Sequence, residues 1–126
     1  MNKRLRWIGI AALVFVGLIV FWFAASIVML LWEAKHNTFV GKEMAGSLHK
    51  QFPVLEINGG GGYNSTISIW VIGEADENTR KEIKSWIFEE VNKKKLKLHI
   101  ALDFRQPPEE YSWLDDPTKN EWRIVK

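Results

Sequence analysis

The run from Trp7 to Trp32, WIGIAALVFVGLIVFWFAASIVMLLW, limits this chain more than anything else in it. It has no charged residue and no proline, and its only hydroxyl belongs to Ser26. Wound as a helix rising about 1.5 Å per residue, it reaches roughly 39 Å, more than the roughly 30 Å of a bilayer's hydrocarbon core. A helix that is apolar on every side avoids water either inside a large domain or in lipid. Only 100 residues lie outside the run, too few to enclose it, so lipid is the expected solvent.

A cleavable signal peptide competes with this reading. Lys3, Arg4 and Arg6 form a basic flank, and Phe23-Ala24-Ala25-Ser26 offers small residues to a peptidase. An h-region spans about 7 to 15 residues, however, and here the apolar run continues through Ile27, Val28, Met29, Leu30 and Leu31. We therefore expect an uncleaved signal anchor over 7–32. Trp7 and Trp32 would sit as interfacial aromatics at its two ends. Gly9 and Gly17 do not make a GxxxG face, so the run itself gives no dimerisation signal.

Orientation follows from the flanks. Lys3, Arg4 and Arg6 precede the run without an acidic residue, whereas Glu33, Lys35, Lys42 and Glu43 follow it in near balance. The positive-inside rule then keeps residues 1–6 cytoplasmic and places the rest of the chain outside. Of the 17 basic residues, three stand before the run, leaving 14 against 15 acidic ones. A soluble part so nearly neutral lacks the cationic surface that nucleic-acid binding requires. The absence of cysteine removes disulfides, thiolate nucleophiles and thiolate metal sites together.

Beyond the anchor, Val40, Met44, Leu48 and Phe52 recur every fourth residue, which predicts a short amphipathic helix or linker over 33–52. Asn37 or Thr38 would cap it and Pro53 would end it. The following stretch, 53–72, reads as two strands around a flexible loop, Gly59 to Gly62 with Tyr63 and Asn64. A strand rather than a helix follows those glycines, so neither phosphate-cradle pattern is satisfied. Ile83, Trp86, Ile87 and Val91 form the buried stripe of a helix from about Asp76 to Lys93, with acidic residues at its start and lysines at its end.

In KLKLHIALDF, Leu96, Leu98, Ile100, Leu102 and Phe104 alternate with Lys97, His99, Ala101 and Asp103, a strand with one dry and one wet face. Strand, helix and strand joined by short turns imply a parallel pair. The fold expected is α+β: one N-terminal transmembrane helix, then a small extracytoplasmic ββαβ(β) domain over 53–126 with one helix on a mixed sheet. Residues 105–120 are expected to be irregular and Trp122 to Val125 a last edge strand.

Chemistry is sparse. His36, His49 and His99 fall in separate segments without metal-ligand spacing, and no nucleophile motif surrounds any serine. No metal ion or other cofactor is expected, and no enzyme. The expected role is a non-enzymatic accessory or assembly protein that meets the lipid bilayer and a membrane or envelope protein. Gly60, Gly61, Tyr63, Trp113 and Trp122 are the candidate partner contacts, although the two tryptophans equally suit covering the sheet. The alternative is a tethered small-ligand binder or hydrolase using the glycine loop with His99 and Asp103. The sequence says where such a chain resides and how it is built, not what it does.

Overall fold

The computed structural model describes residues 2–125, so the outermost residues of the expected 1–6 and 53–126 segments lie outside the description. The elements run α1 (Lys3–Gln51), β1 (Glu56–Gly61), β2 (Thr66–Ile72), α2 (Glu77–Lys93), β3 (His99–Phe104), β4 (Glu110–Leu114) and β5 (Trp122–Val125). The chain forms two compact units, Met1–Trp32 and Glu33–Lys126. In the first unit nearly every side chain from Leu5 to Trp32 is exposed. Among the described residues, α1 is the one helix long and apolar enough to cross a membrane.

The second unit is a five-stranded mixed sheet in the order β1-β2-β3-β4-β5. β2 and β3 are parallel, as the crossover through α2 implies, and every other neighbouring pair is antiparallel. α2 starts where its sequence indicates: the Asp76 carboxylate caps it, accepting the Thr79 N–H at 2.7 Å. Its stripe of Ile83, Ile87 and Val91 is fully buried. Val40, Met44 and Leu48 of α1 enter the same core. Two helical segments, not one, therefore cover the sheet, and both lie on the face carrying Ile67, Ile69, Val71, Ile100, Leu102 and Phe104.

Three local expectations are corrected. First, the helix does not restart at Asn37 or Thr38. Both side chains reach across to β1 instead: Asn37 Nδ2 donates to Gly62 O at 2.8 Å, and Thr38 Oγ1 lies 2.8 Å from Ala34 O and 3.1 Å from Gly61 O. Second, Gly59, Gly60 and Gly61 are strand rather than loop. A Cβ on Gly59 would stand 2.1 Å from Gly41 O, and one on Gly41 only 2.2 Å from Gly60 O. Helix and strand backbones thus touch directly, and only residues without side chains permit it. The turn is left to residues 62–65, where Asn64 and Ser65 take φ of 61° and 51°. Third, 105–120 is not all irregular. Glu110–Leu114 forms β4, with Ser112 and Leu114 turned inward and Tyr111 and Trp113 outward.

Candidate functional site

Strand alternation determines what the helix-free face carries. Opposite the buried Ile67, Ile69 and Val71 of β2 stand Thr66, Ser68, Trp70 and Ile72, and opposite Ile100, Leu102 and Phe104 of β3 stand His99, Ala101 and Asp103. Register then lines up rows across the sheet. One row reads Asn58, Trp70, Asp103, Tyr111 and Val125; the next reads Gly60, Ser68, Ala101, Trp113 and Arg123. The second row has a floor of small residues between β1 and β3, with aromatic rings beside it.

Those rings are held in place. Tyr111 and Trp113 meet edge to face, centroids 5.5 Å apart at 83°. Arg105 places its guanidinium 5.5 Å from the Trp70 ring centroid and pairs with Asp103 at 3.4 Å. The Trp70 ring also leans over Gly60, within 3.7 Å of where a Cβ would sit. Ala101 is fully buried between Ser68 and Trp113 even though no helix covers this face.

The sequence-selected residues are divided by the fold. Gly60 and Trp113 lie on the helix-free face. Gly61 faces Asn37 on the helix side, and Trp122, half-buried, packs against the core on that side as well. Tyr63 stands exposed at the β1–β2 turn. His99 and Asp103 share the helix-free face with Gly60, but Asp103 is already paired to Arg105. Trp7, Trp32, Lys3, Arg4 and Arg6 are exposed residues of the first unit. Sequence reading missed Trp70, Tyr111 and Arg105. Trp70 was visible as the large residue out of step with Ile69 and Val71; Tyr111 was hidden inside a stretch read as a loop.

The densest polar cluster lies on the opposite side. Arg80, 6% exposed, donates from Nε to Ala75 O at 2.9 Å and from Nη1 to Pro108 O at 2.8 Å, stacks 4.7 Å from the Phe104 centroid and pairs with Glu110. Lys84 pairs with the same carboxylate, and Ser112 Oγ donates to it at 2.8 Å. Burial opposes the charge on Glu110, but the hydrogen bonds from Lys84, Ser112 and Arg80, with the Lys84 charge, outweigh it and hold the carboxyl below its ordinary range. The partners named here are internal, so the cluster ties α2 to β4, and Arg80 and Glu110 also line a cleft with Ala75, Asp76, Glu77 and Pro108.

Flat rings around a small-residue floor suit contact with another surface. Among the described residues, no set of three or more His, Asp or Glu could hold a metal ion. No protein-family model, curated protein or solved structure matches this chain.

Proposed function

We propose that this is a single-pass membrane-anchored accessory or assembly protein. Its basic N-terminal flank is cytoplasmic, and the unit from Glu33 onward presents the helix-free sheet face to a membrane or envelope protein. The observation that carries the reading is the contrast between the two units. In one, 26 consecutive uncharged residues are left almost wholly exposed; in the other, a complete core is covered on one face only. Apolar exposure on that scale is stable in lipid and not in water. The aromatic content of the uncovered face supports a protein partner, since such rings dominate interface hot spots.

Crosslinking in native membranes tests the proposal. The chain has no cysteine, so a photo-crosslinker installed through Ser68→Cys is unique. It should capture a distinct protein, and Trp70→Ala with Trp113→Ala should abolish capture without unfolding the domain. Recovery of monomer alone would sink the proposal. Protease added to intact cells should remove the Glu33–Lys126 unit; full protection would reverse the orientation.

A further inference from the structure

The connection from α2 to β3 reads Lys93-Lys94-Lys95-Leu96-Lys97, and the helix accounts for only part of its charge. Lys93 lies in the last turn of α2, where a cation complements the dipole. Lys94 pairs with Glu43 at 3.8 Å and Glu90 at 3.9 Å. Lys95 and Lys97 lie beyond the helix, exposed, and neither has an ion-pair partner among the described residues. Lys95 moreover holds φ at 52°, a conformation that glycine or asparagine adopts more readily. A lysine there works against the backbone's preference.

Hydrogen bonds fix where this turn lies. The His99 N–H, opening β3, donates to Ser65 O at 2.8 Å. Ser65 in turn donates its N–H and its hydroxyl to the Glu33 carboxylate, each at 3.2 Å. Glu33 is the residue directly after Trp32, so two hydrogen-bonded steps link the start of β3 to the end of the apolar stretch. Exposed Lys35 follows two residues later, and Tyr63, 53% exposed, belongs to the same β1–β2 turn as Ser65. Of the acidic groups at this end, Glu33 is engaged by Ser65 and Asp115 is paired with Arg123; exposed Asp116 and Glu121 of the β4–β5 connection share the end, since Leu114 pairs with Ile100, but Lys35, Lys95 and Lys97 outnumber them.

Building on the anchor proposed above, we infer that the Lys93–Lys97 turn, with Lys35 and Tyr63, docks on anionic phospholipid headgroups of the bilayer that the apolar stretch enters. Each lysine near an anionic surface strengthens binding roughly five-fold. The pull fades within a Debye length of about 10 Å, so it acts only on lysines held at the headgroup surface. Tethering makes a weak patch sufficient, because the anchor supplies the local concentration. Tyr63 adds an amphipathic ring suited to headgroup depth.

The test uses full-length protein carrying a fluorophore through Asn92→Cys, reconstituted into phosphatidylcholine vesicles with or without phosphatidylglycerol, each holding a headgroup-labelled quencher lipid. Quenching should rise several-fold with phosphatidylglycerol, and high salt or the triple variant Lys93→Gln, Lys95→Gln, Lys97→Gln should return it to the neutral-lipid level. Equal quenching in both lipids overturns the inference. So does quenching that depends on lipid charge nowhere but appears in native membranes, which would assign the turn to a protein. Carbonate washing of the same vesicles separates the two claims. Loss of the chain defeats the anchor, whereas retention with charge-independent quenching defeats only the docking surface.

Discussion

Two glycines of one helix make opposite demands. Gly41 stands against the Gly60 carbonyl, so Gly41→Ala forces backbone apart and should cost about 1–3 kcal/mol or more. Gly46 faces open space, and Gly46→Ala should gain up to about 1 kcal/mol, the helix-propensity difference. Thermal unfolding of the detergent-solubilised chain, followed by near-ultraviolet circular dichroism, reads both shifts. Glu110 supplies a pH dependence of known sign. Its carboxyl is depressed in the folded protein, so its contribution is complete above the unfolded value of about 4.3 and disappears as pH falls through the folded one. Glu110→Gln should lower stability at neutral pH and flatten its acid dependence over that interval, measured by denaturant titration across pH. An unchanged acid limb would show that this carboxylate is not the group responsible.

The elements that were legible in the sequence are those whose pattern is self-sufficient. α2 has its stripe, its Asp76 cap and its terminal lysines, and β3 alternates almost without fault, so both emerge from periodicity, although the strand begins only at His99, four residues into the alternating run, and Ala101 on its wet face is buried. β4 did not, because of its three inward positions between prolines and aspartates, Glu110, Ser112 and Leu114, only Leu114 is apolar. The glycine run was illegible for a different reason: a strand built from glycine is explained by the helix pressed against it, which no local window contains. Asn37 shows the same limit, since its side chain serves a carbonyl 25 residues away. Asn37→Ala should leave Gly62 O unsatisfied at a cost of about 1–3 kcal/mol and speed amide exchange along β1 and β2. Exchange unchanged from wild type would remove Asn37 as the tether between α1 and the hairpin.

At the scale of the molecule, the core of the second unit draws nothing from before Val40. A chain beginning at Glu33 should therefore remain soluble and unfold cooperatively, checked by gel filtration and a melting curve; aggregation from the outset would mean that the first unit is needed for folding. The candidate site was only half readable in advance, because its rings come from β2 and β4 and converge through strand order rather than through spacing. Arg105 bears on how such a surface meets water. A guanidinium resting on the Trp70 indole keeps this palm wettable, because the ring is presented to solvent beneath a cation rather than bare.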